Sequence, residues 1–321
     1  MKIVVVGGSG FIGTRLVSHL LQQGHRVAIY DPVPSSAHPE CATLGDVRDT
    51  PALTRVLGGA DCVVNLAAEH RDDVHPESRY FDVNVNGAES LVAAAEKNSL
   101  SRIVFVSSAA VYGLNQLDPD ESARIEPLNA YGKSKAEAES VYRRWCSADA
   151  RRSLLILRPT VVFGEGNRGN VYNLIEQISR RRLLMIGDGT NRKSIAYVGN
   201  LVEFLSTWFD SEPGLHLYNY ADKPDKSITE LVATISTLLE QQAIPRYALP
   251  YWFALFVGWL CDAAAMVTHK PLLISSVRVR KFCANTQINT AALEQIGYKA
   301  SCTIDEGLAR MISSMQSART N

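Results

Sequence analysis

The sequence predicts an α/β protein with a doubly wound parallel sheet. Through the first half of the chain, short apolar runs rich in β-branched residues alternate with amphipathic stretches of helical spacing. Strands that alternate with helices in this way favour a parallel sheet with helices on both faces. A glycine-rich turn stands between the first apolar run and the first amphipathic stretch, as this architecture requires.

The predicted strands are short and apolar, which is typical of strands buried on both faces of a sheet. They fall at 3–6, 27–30, 62–66, 103–107 and 154–157, and the helices between them fall at 14–23, 51–57 and 87–98. The fifth strand ends at Arg158-Pro159, because proline cannot donate to a central ladder. Further along we expect a helix at 171–179 and a turn at 187–191.

Two domains are predicted from this pattern. The larger one, at 1–165, carries the glycine-rich turn, and the segment 194–222 is expected to return to it. The segments 166–193 and 223–321 are expected to form a smaller, mainly helical lobe. Ligands of doubly wound sheets bind beyond the carboxyl ends of the strands, and the smaller lobe is predicted to bind the substrate there.

The composition argues against several classes of protein. Lys and Arg number 33, as do Asp and Glu, so the formal net charge is +0 and no nucleic-acid partner is expected. The 6 cysteines have neither CxxC nor metal-ligand spacing; we expect reduced thiols in the cytoplasm and no metal site. The N-terminus does not read as a signal peptide, since only four apolar residues precede the glycine-rich turn.

Gly7, Gly10 and Gly13 form a G-x-x-G-x-x-G loop between the first strand and the first helix. Glycine permits the tight turn and lets a pyrophosphate approach the free N–H groups of the helix N-terminus. Asp31 ends the second strand, where a carboxylate accepts hydrogen bonds from a ribose. Because the Asp31 carboxylate would repel the 2′-phosphate of NADP, this position predicts NAD as the cofactor. A structural turn beside a solvated Asp31 is the alternative.

Tyr131 and Lys135 are four residues apart, which places a phenol and an ammonium on one face of a helix. The ammonium stabilises phenolate over phenol, so we expect the pKa of Tyr131 to fall from its usual value of about 10. Tyr131 is therefore a candidate base that removes a hydroxyl proton as hydride leaves the same carbon. Ser108, beyond the fourth strand, is placed to hold the substrate oxygen. A surface Tyr–Lys pair is the alternative.

Six motifs of the first half resemble those of the extended short-chain dehydrogenase/reductases, the NAD-dependent epimerase/dehydratase family. They are Gly7-Gly-Ser-Gly-Phe-Ile-Gly13, Asn65-Leu-Ala-Ala68, Asn84-Val-Asn-Gly87, Ser107-Ser-Ala-Ala-Val-Tyr-Gly113, Tyr131-Gly-Lys-Ser-Lys135 and Arg158-Pro-Thr-Val-Val-Phe-Gly164. The resemblance implies a Rossmann-type fold, NAD as the cofactor, and Tyr131, Lys135 and Ser108 as the catalytic residues.

The resemblance also implies which residues contact NAD. In this family Asp46 and Val47 would contact the adenine, and Lys135 would also hold the nicotinamide ribose. The complete implied set is Gly7, Gly10, Phe11, Ile12, Gly13, Asp31, Asp46, Val47, Leu66, Ala67, Ala68, Asn84, Lys135, Pro159 and Val162.

The two positions after Ser108 narrow the implied chemistry. The 4,6-dehydratases of the family have an Asp-Glu pair where this chain has Ala109 and Ala110. Reductases that also epimerise C3 and C5 of GDP-sugars have a cysteine in place of Ala110. Since both additional acid–base sets are missing, 4-epimerisation, 4-keto reduction and alcohol oxidation remain.

Four longer motifs resemble one group of this family, the bacterial 4-epimerases of polyprenyl-diphosphate-linked N-acetylglucosamine. They are Gly45-Asp-Val-Arg-Asp49, Leu66-Ala-Ala-Glu-His-Arg-Asp-Asp-Val74, Gly166-Asn-Arg-Gly-Asn-Val-Tyr-Asn-Leu174 and Lys193-Ser-Ile-Ala-Tyr-Val198. The implied substrate contacts are Ser108, Ala109, Tyr131, Asn170, Lys193, Arg278 and Arg280. Lys193 stands where sugar-nucleotide epimerases have an arginine, whose bidentate fork a lysine cannot reproduce.

The segment 249–267 carries one charge, Asp262, and is apolar nearly all round a helix. Such a helix is buried in protein or in lipid, and its length is at the lower limit for a membrane span. The alternatives are a core helix of the small lobe and a helix lying in a membrane interface through Tyr251, Trp252 and Trp259. A lipid-linked substrate favours the interface, and with it the inner face of the cytoplasmic membrane.

The leading prediction is an NAD-dependent 4-epimerase acting on undecaprenyl-diphosphate-linked N-acetylglucosamine for O-antigen assembly, through a 4-keto sugar. The alternatives are a soluble UDP-N-acetylglucosamine or UDP-glucose 4-epimerase, an NAD(P)-dependent 4-keto-sugar reductase, a hydroxysteroid-type dehydrogenase and a non-catalytic NAD sensor. The family resemblance also implies a homodimer. The loop 69–73 is expected near the substrate, with a solvated charged loop as the alternative for His70 and Arg71.

Overall fold

A computed structural model describes residues 1–71, 74–114, 116–241, 248–268 and 275–320. The described strands are β1 Lys2–Val6, β2 Arg26–Asp31, β3 Ala42–Leu44, β4 Cys62–Asn65, β5 Arg102–Val106, β6 Ser153–Pro159, β7 Val161–Phe163, β8 Met185–Ile186, β9 Arg192–Tyr197, β10 Gly214–Tyr220, β11 Asp222–Ser227 and β12 Ala248–Leu249. The described helices are α1 Phe11–Gln22, α2 Thr50–Val56, α3 Ser78–Lys97, α4 Ala130–Ser147, α5 Asn170–Ser179, α6 Val198–Ser206, α7 Ile228–Leu238, α8 Tyr251–Thr268, α9 Ser276–Cys283, α10 Ala291–Gln295 and α11 Ile304–Thr320.

The contacts divide these residues into two compact units. The first unit is Met1–Val162, Ala196–Ala221 and Ile288–Cys302, and the second is Phe163–Ile195, Asp222–Gln287 and Thr303–Asn321. The segment 288–302, predicted within the smaller lobe, thus joins the first unit. It is held there because Asn200 Nδ2 donates to the carbonyl of Cys302 at 2.7 Å and the hydroxyls of Tyr220 and Tyr298 are 2.9 Å apart.

A seven-stranded sheet in the order β10-β6-β5-β4-β1-β2-β3 is the centre of the first unit. Its strand pairs are parallel throughout, which confirms the predicted doubly wound sheet. The strand order reverses at the β1–β4 pair, and the crevice outside such a switch point is where these folds bind ligands. Because Val6 pairs with Asn65, the chain leaves β1 and β4 side by side at this point.

Helices α2, α3 and α4 cover one face of this sheet. Leu53 of α2, Leu91 of α3 and Tyr142 of α4 are fully buried in one apolar cluster with sheet residues. Helix α3 begins well before its predicted start at 87. Its additional N-terminal turns contain buried Tyr80 and Asn84. Because many residues in these turns are polar, the sequence there lacks the regular apolar spacing by which a helix is recognised.

The second unit is mainly helical, as expected, and it also contains short strands. Strands β9 and β11 pair antiparallel, and β8 and β12 pair parallel. Of the segment 194–222, β10 joins the seven-stranded sheet beside β6. Within the described part of the chain, no helix combines the length and apolarity needed to cross a membrane.

Candidate active site

The turn after β1 packs so closely against the neighbouring backbone that two of its positions have room only for glycine. A Cβ on Gly7, whose φ is +80°, would lie 2.6 Å from the backbone nitrogen of Ala67. A Cβ on Gly13 would lie 2.4 Å from the carbonyl oxygen of Gly7. Both distances are shorter than any van der Waals contact, so the turn and the start of α1 can pack against β4 only with glycine at these positions.

Gly10 has a different environment. Among the described residues, a Cβ at Gly10 would meet only the Gly7 carbonyl oxygen, at an ordinary 3.4 Å. Gly10 is also the N-cap of α1, it offers no side-chain cap, and the first helical turn has no acidic residue. The space beside Gly10 and the uncapped N–H groups of α1 therefore fit the pyrophosphate of a dinucleotide.

Asp31 lies beside this turn at the end of β2. Its carboxylate is largely buried and accepts hydrogen bonds from the backbone N–H groups of Ser9, at 3.1 Å, and Val33, at 2.8 Å. These bonds fix the carboxylate against the glycine turn. Since each carboxylate oxygen accepts more than one hydrogen bond, Asp31 retains capacity for a ribose hydroxyl.

The two residues expected at the adenine follow β3. Asp46 forms an ion pair with Arg48 at 2.6 Å, and hydrogen bonding to that guanidinium lowers the pKa of Asp46. Val47 is buried, and a Cβ on Gly87 would approach its Cγ1 to 2.8 Å. Gly87 thus lets α3 approach the segment that carries both residues.

The remaining apolar residues expected at the cofactor lie near the carboxyl edge of the sheet. Leu66, Ala67 and Ala68 follow β4, and Phe11 and Ile12 begin α1; all five are half-buried. Pro159 ends β6, and Val162 lies in β7. Pro159 is the buried one of this set.

Asn84 ties the loop after β4 to helix α4. Its Oδ1 accepts from the backbone N–H of Glu69 at 2.8 Å. Its Nδ2 donates to the Glu69 carbonyl at 3.1 Å and to Ser134 Oγ at 2.8 Å. Both amide hydrogens are used within the protein, so Asn84 holds the loop after β4 against α4. Direct contact of Asn84 with NAD stays a prediction.

The loop after β4 is also charged. The buried carboxylate of Glu69 pairs with Arg71 and with Arg79, each at 3.1 Å, and both guanidiniums are more than half exposed. Burial alone would raise the pKa of Glu69, but hydrogen bonding to Arg71 and the charges of both arginines lower it. His70 is exposed, and residues 72 and 73 of the predicted substrate loop lie outside the described residues.

Lys135, four residues after Tyr131 on helix α4, is buried. Only 2% of Lys135 is exposed; its Nζ donates to the Val106 carbonyl at 2.8 Å and lies 4.7 Å from the centroid of the Phe105 ring. Burial lowers the pKa of Lys135 to about 7, although the carboxylate of Glu139 opposes the shift. Lysine side chains are rarely buried in proteins unless they are paired, so the burial of Lys135 at the end of β5 is unusual.

Tyr131 lies in the first turn of α4. The turn starts at Asn129, whose Oδ1 caps the N–H of Gly132 at 3.0 Å. Ser134 Oγ donates to the Tyr131 carbonyl at 2.8 Å, and the Tyr131 ring lies 6.4 Å from that of Tyr80. Through Ser134 and Asn84, the backbone of Tyr131 is therefore connected to the loop after β4.

Ser108 lies two residues beyond the carbonyl that Lys135 binds. A Cβ on Gly132, the residue after Tyr131, would lie 2.6 Å from the Ala110 carbonyl oxygen, so the start of α4 packs against the turn that follows β5. Ser108 begins a short 3-10 turn, Ala109–Tyr112, and its Oγ accepts from the N–H of Ala110 at 3.1 Å. That bond fixes the oxygen and leaves the hydroxyl hydrogen for a substrate oxygen.

The other predicted substrate residues belong to the second unit. Asn170, Arg278 and Arg280 are exposed, the first at the start of α5 and the others on α9. Lys193 also lies in the second unit, on β9, and its contact with the diphosphate stays a prediction. Its Nζ donates to the carbonyls of Lys281 at 2.8 Å and Ala284 at 2.6 Å, at the end of α9. Burial lowers the pKa of Lys193 to about 8.

One charged pair near the site was not predicted from the sequence. Glu139, four residues after Lys135, forms a buried ion pair with Arg158 at 2.6 Å. The spacing of Glu139 from Lys135 was a usable signal, because residues four apart share a helix face. Its partner could not be identified in this way, since Arg158 lies on a different element, strand β6. No cluster of three or more potential metal-binding side chains occurs among the residues that the structure describes.

Comparisons with known proteins identify the family of this chain. The model of the NAD dependent epimerase/dehydratase family matches residues 3–220. The N-acetyl-alpha-D-glucosaminyl-diphospho-ditrans,octacis-undecaprenol 4-epimerase of Escherichia coli O157:H7 is 47% identical over 313 residues, which is 97% of this chain and 94% of that protein. The UDP-glucose 4-epimerase of Vibrio cholerae is 29% identical over 78% of each chain.

Solved structures share the fold. The UDP-glucose 4-epimerase of Thermotoga maritima superposes with a TM-score of 0.79 at 20% identity, covering 99% of this chain and 100% of its own. The UDP-glucuronic acid 4-epimerase of Bacillus cereus, solved with NAD, has a TM-score of 0.78 at 19% identity and covers 99% of each chain. With the family model matching most of the chain and a relative of 47% identity matching nearly all of it, this chain belongs to the NAD dependent epimerase/dehydratase family, an enzyme family with NAD as its cofactor.

Proposed function

We propose that this chain is the 4-epimerase of N-acetylglucosamine carried on undecaprenyl diphosphate, and that its product is the N-acetylgalactosamine epimer. The observation that carries the proposal is the joint presence of Tyr131 and Lys135 on α4 and Ser108 after β5, in a chain 47% identical to a relative with this activity. Ala109 and Ala110, which carry no acid or base, support simple carbinol–ketone chemistry.

In this proposal Tyr131 removes the proton of the C4 hydroxyl, while the ammonium of Lys135 stabilises the phenolate. Ser108 donates a hydrogen bond to the same sugar oxygen. NAD, when bound, supplies the acceptor and donor of the C4 hydride. After C4 has inverted, Tyr131 returns the proton to the oxygen. The first unit binds NAD, and Asn170, Arg278 and Arg280 of the second unit contribute to binding the diphosphate.

The test is to incubate the purified protein, without added NAD, with polyprenyl-diphospho-N-acetylglucosamine and separately with UDP-N-acetylglucosamine. Sugars released by mild acid are then identified by chromatography. We expect the galacto epimer from the lipid-linked substrate alone. Conversion of the UDP-sugar alone would identify a nucleotide-sugar epimerase instead. Steady consumption of added NAD(H), without an epimer, would identify a reductase or an alcohol dehydrogenase.

We also propose that α8 lies on a membrane surface. One face of α8 packs on α9: Ala254 is buried, and a Cβ on Gly258 would lie 2.8 Å from the backbone nitrogen of Ser276. Asp262, the single charge of the segment, accepts from that same N–H at 3.1 Å and so caps α9. The charge inside the apolar segment is thereby used in the contact between α8 and α9.

The rest of α8 exposes large apolar side chains. The exposed fraction lies between 40% and 77% for each of these residues: Tyr251, Trp252, Phe253, Phe256, Trp259, Leu260 and Met266. Such a cluster marks an interaction surface, and tryptophan and tyrosine suit a lipid interface. The exposed Arg278 and Arg280 of the neighbouring helix α9 add positive charge, so we expect a membrane of anionic phospholipids.

The triple variant Trp252→Ser, Phe256→Ser, Trp259→Ser is expected to lose binding to phosphatidylglycerol vesicles by about 100-fold or more, since each buried aromatic contributes roughly 1.5–3 kcal/mol. Vesicle co-sedimentation measures the change. The control is Leu44→Ser, a similarly exposed apolar residue on β3. Unchanged vesicle binding would contradict the proposal, and a variant that instead becomes monomeric would assign α8 to a homodimer contact.

A further inference from the structure

The turn that carries Ser108 is tied at both of its ends to one buried ion pair. Arg158 donates to Glu139 through Nε at 2.9 Å and through Nη2 at 2.6 Å. The side chains of Glu139 and Arg158 are only 4% and 3% exposed. Such a bidentate pair is rigid, because the planar guanidinium fits the carboxylate in one orientation.

The first tie holds the residue before Ser108. The Oγ of Ser107 donates to Oε1 of Glu139 at 2.6 Å, and Ser107 is itself buried. Oε1 of Glu139 therefore accepts from both Ser107 and Arg158. The position of Ser107 relative to helix α4 is set by this shared acceptor.

The second tie holds the far end of the turn. Nη1 of Arg158 donates to the hydroxyl of Tyr112 at 2.6 Å, and the Tyr112 hydroxyl donates to Oδ1 of Asn219 at 2.7 Å. The Arg158 guanidinium also lies 5.0 Å from the centroid of the Tyr112 ring. Ser108 and Ala109 lie between these two ties.

The ion pair is anchored to the same helix as the candidate base. Tyr131, Lys135 and Glu139 follow one another at intervals of four residues on α4 and so share one face. A buried ion pair contributes little to net stability, because desolvating two charges costs about as much as their attraction returns. Compared with an apolar contact at the same place, the ion pair and its hydrogen bonds fix the geometry between α4 and the turn.

We propose that Glu139 and Arg158 are positioning residues that hold the Ser108 hydroxyl in register with Tyr131 and Lys135. The ion pair acts through Ser107 and Tyr112 and does not touch the substrate. Its kinetic consequence rests on the epimerase function proposed above, whereas its effect on the order of the turn does not.

The experiment cuts the two ties and leaves the ion pair in place. In the NAD-bound protein, Ser107→Ala and Tyr112→Phe are made singly and together. The matched control is Tyr220→Phe, an equally buried tyrosine whose hydroxyl contacts Tyr298 at 2.9 Å. Amide hydrogen exchange of 108–112, kcat, KM, retained NAD and thermal stability are measured for each variant.

We expect exchange in the turn to accelerate about tenfold or more in the double variant. Misplacing a group by a fraction of an ångström lowers catalysis, so kcat should fall about 10- to 100-fold while KM and retained NAD change little. Tyr220→Phe should lose comparable thermal stability without either effect.

Unchanged exchange of 108–112 in the double variant would overturn the proposal, whatever the activity. So would faster exchange with an unaltered kcat, or a loss of kcat that Tyr220→Phe reproduces. If the wild-type protein epimerises neither sugar, the proposed function fails on its own account, and the exchange of the turn alone then decides whether the ion pair positions Ser108.

Discussion

Tyr131→Phe is expected to lower the kcat of epimerisation about 100- to 10,000-fold, because the phenol is the group that takes and returns the C4 proton. The phenyl ring keeps its place beside Tyr80, since no part of that contact depends on the hydroxyl. Protein folding and NAD retention should therefore be normal. The measurement is epimer formation from the lipid-linked sugar, with the amount of bound NAD and the melting temperature recorded for the same preparation.

Tyr218→Phe is the control for this prediction. Tyr218 is half-buried like Tyr131, belongs to the same unit and lies on β10, where it packs against Phe204 and Trp208. Its activity should equal that of the wild type. A Tyr131→Phe protein that keeps wild-type kcat would remove the proposed mechanism altogether.

Lys135→Met is expected to lower kcat by a similar factor, about 100-fold or more, because an ammonium that stabilises a phenolate is lost while the volume of the side chain is nearly kept. The carbonyl of Val106 loses the hydrogen bond from Nζ. Lys133→Met, an exposed lysine on the same helix, is the control and should retain full activity. Wild-type kcat in the Lys135→Met protein would contradict the assigned role.

The same variant tests the pH dependence of stability in the NAD-free protein. The pKa of Lys135 is lowered by burial from 10.5 to about 7, so between these values the unfolded chain binds a proton that the folded protein does not. The cost of burying the ammonium is fully present below pH 7 and is relieved as the pH rises towards 10.5.

Wild-type stability should accordingly rise relative to that of Lys135→Met as the pH increases from about 7 to about 9. Urea unfolding of both proteins across this range measures the difference. A constant difference would show that Lys135 titrates at its ordinary pKa in the folded protein.

Much of the first unit was predictable from local sequence. β1 is a run of four apolar β-branched residues after Lys2, and each of them is buried, so the strand could be recognised from the residues alone. The glycine turn and the spacing of Tyr131 and Lys135 were equally local signals. The start of α3 and the strands of the second unit were not. β11 reads Asp222–Ser227 with four charged residues and a proline, and it is a strand because β9 pairs with it.

The sequence by itself determined the parallel sheet, the cofactor turn and the placement of Tyr131 and Lys135 on one helix face, because each depends on residues within a few turns of one another. Only the tertiary structure decided which groups those residues meet. Lys193 binds the end of α9, Asn84 binds the loop after β4, and the large aromatic side chains of α8 are exposed. The partners in such contacts come from distant segments, so neither periodicity nor spacing along the chain records them.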